Sequence, residues 1–65
     1  MLNLKEARKK ARYSQQETAD YLGISRPTYA RMENEPGTIT VDDAKKLADL
    51  FKVKISDIFF PYNYS

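Results

Sequence analysis

The sequence predicts an all-α domain of five short helices, and three observations carry that expectation. Apolar residues recur at helical spacing, most cleanly at Ala44, Leu47, Ala48 and Phe51, which follow the i, i+3, i+4, i+7 pattern. A small polar residue (Asn3, Ser14, Ser25, Thr40 or Ser56) stands where each helical pattern begins, as helix caps do. Gly23 and the Pro36-Gly37 pair punctuate the patterns as turns. The 65 residues make one small domain, 1–65, with no internal repeat, linker or low-complexity tract.

Asn3 caps the first helix, with Glu6 at the third position of a capping box. This helix is expected from about residue 4 to residue 12. Its apolar face is thin, with Leu4, Ala7 and Ala11 and a contribution from Leu2, and the alanines let a neighbouring helix come close. Ser14 and Glu17 repeat the box at the start of a second helix, Gln15–Leu22, where Ala19 and Leu22 share a face. Gly23 stands where a chain leaving a helix needs positive φ, and Ile24 is a lone apolar residue suited to pinning two helices together. Ser25 caps a third helix, Arg26–Asn34, with Pro27 in its first turn, where a missing N–H costs nothing.

In that third helix Tyr29 and Met32 should face the core, while Arg26, Thr28 and Arg31 lie elsewhere on the cylinder. The stretch Asn34-Glu35-Pro36-Gly37-Thr38 reads as a loop. Thr40 caps the fourth helix with Asp43 at the box position, and the outward face carries Asp42, Lys45, Lys46 and Asp49. Val53 and Ile55 extend the core through the next turn. Ser56 is expected to cap a short fifth helix carrying Ile58 and Phe59, which Pro61 stops. The tail 60–65 is aromatic: Phe60, Tyr62 and Tyr64 read either as a homodimer contact or as a lid on the monomer's own core.

The stretch 14–34, SQQETADYLGISRPTYARMEN, organises the rest. Its two helices are too short to stand alone in water. Held at an angle by a glycine turn, they match a helix-turn-helix unit. The stretch resembles the DNA-binding motif of the phage repressor and Cro type, the Xre type. Gln15, Glu17, Ala19, Gly23, Ser25, Tyr29, Met32 and Glu33 carry the resemblance, which runs on through TVDDAKKLADLFKVKISDIF and so covers about 4–59.

That resemblance implies a lambda-repressor-like fold and a third helix lying in the major groove of double-stranded DNA with its first residues at the base edges. It places base readout at Arg26, Pro27, Thr28 and Arg31. An arginine fork meets guanine O6 and N7 together, whereas Pro27 offers only apolar contact, for example to a thymine methyl. Phosphate contacts are expected from Gln15 and Gln16 at the start of the second helix, and from Asn34 and Thr38 in the loop, where Gly37 adds a backbone donor. Glu35 departs from the pattern, since small or basic residues are more usual there, and phosphate would repel it unless it turned away. Glu33 is expected to pair with Arg8 and tie the binding helix to the scaffold.

Charge agrees with such a partner. The net charge of +2 is modest, but Lys5, Arg8, Lys9, Lys10 and Arg12 face Glu6 alone within the first helical segment and its turn. The third helix also lacks the early acid that Glu6, Glu17 and Asp43 supply elsewhere. A carboxylate there would help the helix dipole but repel an approaching phosphate.

With neither cysteine nor histidine, disulfides and the usual zinc ligands are excluded, and no metal or cofactor is expected. No glycine-rich phosphate loop or clustered carboxylate pair suggests an enzyme. No apolar run reads as a signal peptide or membrane span, so a soluble cytoplasmic protein is expected, without a small-molecule effector domain. The expected function is that of a transcriptional regulator, a repressor binding an inverted repeat as a homodimer. The alternative is an antitoxin-like or antirepressor-type module that uses the same fold to bind a protein partner.

Overall fold

Small polar residues start the first four helices of the computed structural model, which describes residues 3–58. The chain runs through α1 (Leu4–Lys10), α2 (Gln15–Leu22), α3 (Arg26–Asn34), a 3-10 turn at Pro36–Thr38, α4 (Val41–Phe51) and α5 (Ile55–Ile58). The described residues contain five α-helices and no strand. The aromatic tail with Phe60, Tyr62 and Tyr64, together with Leu2, Phe59 and Pro61, lies outside the described residues.

Reciprocal capping boxes open α1 and α2. The Asn3 side chain accepts the Glu6 N–H at 2.8 Å while the Glu6 carboxylate accepts the Asn3 N–H at 3.2 Å. Ser14 and Glu17 do the same at 2.9 and 2.8 Å. At α4 only half of the box forms: Thr40 accepts the Asp43 N–H at 3.0 Å, and the shorter Asp43 side chain makes no return bond.

Two expected boundaries are corrected. Ser56 does not cap α5; it lies within it. The helix starts at Ile55, two residues before the start a Ser56 cap implies, and Asp57 accepts the Lys54 N–H at 3.2 Å. This start puts Ile55 and Ile58 three apart, one packed on the core and the other 1 % exposed. The first helix does not reach residue 12. It ends at Lys10, and Arg12 turns into the left-handed region at φ 66°. There the Tyr13 N–H reaches back to the Arg8 carbonyl at 3.2 Å and the Arg12 N–H to the Lys9 carbonyl at 3.0 Å, a Schellman closure.

The same closure ends α2. Gly23, at φ 74°, donates to the Asp20 carbonyl, and Ile24 to the Ala19 carbonyl at 3.0 Å. A Cβ added at Gly23 would meet nothing within 4 Å, so backbone conformation alone selects glycine. Gly23→Ala is therefore expected to cost about 1–2 kcal/mol through left-handed strain, without a packing defect. Thermal melts of Gly23→Ala and Gly23→Asn check this. Asparagine, which visits this region more readily, should recover most of the loss.

The core gathers one face from each helix. Leu4 and Ala7 come from α1, Ala19 from α2, Tyr29 and Met32 from α3, and Ala44, Leu47, Ala48 and Phe51 from α4, with Ile58 closing it from α5. Ile39, which no helical pattern in the sequence marks, is also buried, held in place by the 3-10 turn. Tyr13 lays its ring against Phe51 with centroids 6.0 Å apart. Thr18 is a fully buried polar residue, satisfied because its hydroxyl donates to the Ser14 carbonyl at 2.9 Å. Burying α2 and α3 on this core leaves the first turn of α3 outside.

Candidate functional site

Local chemistry at the start of α3 explains why that turn can be exposed. Ser25 caps it by accepting the Thr28 N–H at 3.3 Å, and its hydroxyl donates to the Thr28 hydroxyl at 2.9 Å. Pro27 occupies a position where no backbone donor is required. The apolar residues of the helix point the other way, with Tyr29 and Met32 buried. Ser25, Arg26, Pro27 and Thr28 form a continuous exposed run, and Arg31 is exposed one turn later. The first turn of α3 contains no acid, whereas α1, α2 and α4 each contain at least one. The tip thus offers backbone donors, a positive dipole end and guanidinium groups on one surface.

Beneath this surface lies a network that fixes α3 to the body. Arg8 donates through Nε to Glu33 at 2.7 Å, and the two side chains are only 9 % and 3 % exposed. A second donor of Arg8, Nη1, meets the Tyr13 carbonyl at 2.8 Å, which binds the turn after α1 into the same cluster. Burial opposes the charge on Glu33, but the hydrogen bonds from Arg8 and Gln15 and the nearby Tyr29 hydroxyl overcome it and hold its carboxyl below the usual range. The bond to Glu33 raises the Arg8 guanidinium, outweighing burial. Burial pushes the Tyr29 phenol far up, and the Glu33 charge adds to this. The hydroxyl feels the pair electrostatically without meeting hydrogen-bond geometry among the described residues.

Gln15 connects this network to the surface. Its amide nitrogen donates to Glu33 at 3.0 Å, and its amide oxygen accepts from Arg26 Nη1 at 3.3 Å. Arg8, Glu33, Gln15 and Arg26 therefore form one hydrogen-bonded chain across α1, α3 and α2. Gln15 is expected at a phosphate from the sequence, but residue spacing does not show these two contacts, since it does not determine which side chains meet across a turn.

The remaining expected residues are more loosely placed. Gln16 is exposed and donates to Asp20 at 2.8 Å on its own helix. Asn34 is exposed at the end of α3. The Thr38 hydroxyl already donates to the Glu35 carbonyl at 2.8 Å. Arg31 Nε donates to Glu35 at 3.4 Å, a contact that their i, i+4 spacing could have announced. No group of acidic, histidine or cysteine side chains among the described residues could hold a metal ion. No helix among them is long and apolar enough to cross a membrane.

Comparison with known proteins agrees with this geometry. A family model described as helix-turn-helix matches residues 4–58, which takes in every element of the fold. The chain is 41 % identical over 59 residues to a Pyrococcus furiosus protein named as a candidate HTH-type transcriptional regulatory protein. The match covers 86 % of this chain but spans only 19 % of that relative. No solved structure matches the chain significantly.

Proposed function

Because the chain belongs to the Xre-type helix-turn-helix family, we propose that it is a DNA-binding transcriptional regulator that reads double-stranded DNA with the exposed start of α3. The observation that carries this reading is the acid-free, outward-facing tip bearing Arg26, with Arg31 one turn on. A helix tip with free donors suits phosphate, and arginine forks suit guanine edges in the major groove. Arg26, Pro27, Thr28 and Arg31 are assigned to the bases. Gln15, Gln16, Asn34 and Thr38 are assigned to flanking phosphates, for which Thr38 must turn its hydroxyl away from the Glu35 carbonyl. The relative's name, which describes transcriptional regulation, supports the same role.

The finer reading is a cytoplasmic, non-catalytic repressor that binds an inverted repeat as a homodimer. Its half-sites would lie about 10 bp apart, one helical turn of DNA. The test is a gel shift against a pool of random duplexes with salt varied. Apparent affinity should fall steeply and linearly on logarithmic axes as salt rises, as counterion release requires. Absence of any shift at low salt would remove the nucleic-acid reading and favour a protein partner on the same surface.

A further inference from the structure

Two arginines face outward on α3, and their surroundings differ. Arg26 lends one Nη to the neutral amide of Gln15. Arg31 instead lends its Nε edge to the Glu35 carboxylate, with the two side chains 66 % and 58 % exposed. The Glu35 backbone is hydrogen-bonded through both its N–H and its carbonyl. Its N–H donates to the Arg31 carbonyl at 2.7 Å, and its carbonyl accepts the Thr38 N–H at 2.9 Å and the Thr38 hydroxyl at 2.8 Å. Pro36 then fixes the exit into the 3-10 turn. The carboxylate is therefore delivered beside Arg31 by backbone held on both sides.

Resting on the DNA-reading function above, we propose that Glu35 is a specificity-determining positioning residue, which holds Arg31 by its Nε edge so that the end-on Nη pair is offered to a base. With Nε occupied, the side-on face of the guanidinium is blocked, while both Nη groups remain without a partner among the described residues. Those two groups can meet guanine O6 and N7 together. Glu35 also penalises the commonest alternative. An arginine freed on a DNA surface goes to phosphate, where most protein–DNA hydrogen bonds are made. Moving Arg31 there gives up the Glu35 contact and leaves the carboxylate unpaired beside the negative charge of the DNA. A base edge presents neutral acceptors and carries no such penalty. The pair is weak in the free protein, as exposed i, i+4 pairs are. It gains strength in a groove from which water is displaced. Glu35 thus lowers affinity for DNA in general and sharpens the choice among sequences.

The test compares wild type, Glu35→Gln, Arg31→Ala and the double variant. Each is titrated with the duplex that wild type enriches from a random library and with a random-sequence duplex. Glu35→Gln keeps the length of the side chain but removes its charge and replaces one acceptor with a donor, so the hold on Arg31 weakens, and its exposed position should leave the melting temperature nearly unchanged. Its affinity for random duplex is expected to rise, with a steeper salt dependence equivalent to about one more phosphate contact. Its ratio of specific to random binding is expected to fall about three- to tenfold. The fall in ratio should disappear in the Arg31→Ala background, because the effect acts through Arg31. An unchanged ratio in Glu35→Gln, or an equal change with Arg31 absent, would overturn the proposal and reduce Glu35 to simple charge repulsion while leaving DNA binding intact. Failure of wild type to bind any duplex would remove both this proposal and the function on which it rests.

Discussion

Arg8→Ala is expected to lose about 3–5 kcal/mol of stability at neutral pH, because it leaves the Glu33 carboxylate buried without its cation. A chain of 65 residues has only about 3–10 kcal/mol in total to lose, so a large fraction should be unfolded at room temperature. DNA binding would be lost as a consequence, although Arg8 faces the interior rather than the exposed tip. The pH dependence identifies the cause. In the native chain Glu33 titrates below its ordinary value of 4.5, so the stability it contributes is present above that value and fades as pH falls through the lowered one. Without Arg8, burial dominates and pushes the Glu33 carboxyl upward. The variant's deficit should therefore be largest near neutrality and shrink as acid protonates Glu33. Replacing both partners with apolar residues, Arg8→Met with Glu33→Leu, should restore much of the loss. Denaturant melts from pH 4 to 7 read all three outcomes, and a pH-independent deficit would count against the pair as its source.

The second large effect is on sequence choice. Arg26→Ala and Arg31→Ala should each erase preference at one base position, removing about 1–3 kcal/mol of discrimination there while leaving other positions readable. Both side chains are exposed, so neither variant should melt early. Gln15→Ala should instead weaken all duplexes alike, as loss of a phosphate contact does. Because Gln15 also holds Glu33 and Arg26, its melting temperature must be measured alongside, and a modest drop is expected. Competition assays against single-base variants of a selected duplex separate the two patterns.

How much of this was legible in the residues follows from the range of the forces involved. Helix starts were readable because a cap and its acid act over three residues, as at Asn3 and Glu6 or Ser14 and Glu17. The faces of α3 and α4 were readable because helical period fixes which side chains share a side. The end of α1 was not, since the left-handed turn at Arg12 carries no glycine to announce it. Lys52 is a second such position, at φ 59° after α4. The start of α5 was missed because Asp57 caps from inside the helix, a weaker signal than a serine in front of it. At the candidate site the exposed tip follows from periodicity, but the bridge from Glu33 through Gln15 to Arg26 depends on how two helices cross, which local sequence does not encode.

The proposed function requires that the exposed start of α3 read base sequence. Selection of duplexes from a random library, run in parallel with wild type, Arg26→Ala and Arg31→Ala, measures this directly. The expected result for wild type is an enriched inverted repeat with half-sites about 10 bp apart, with each variant losing preference at its own position. A flat library after selection, or the same enriched sequence from all three proteins, would contradict it.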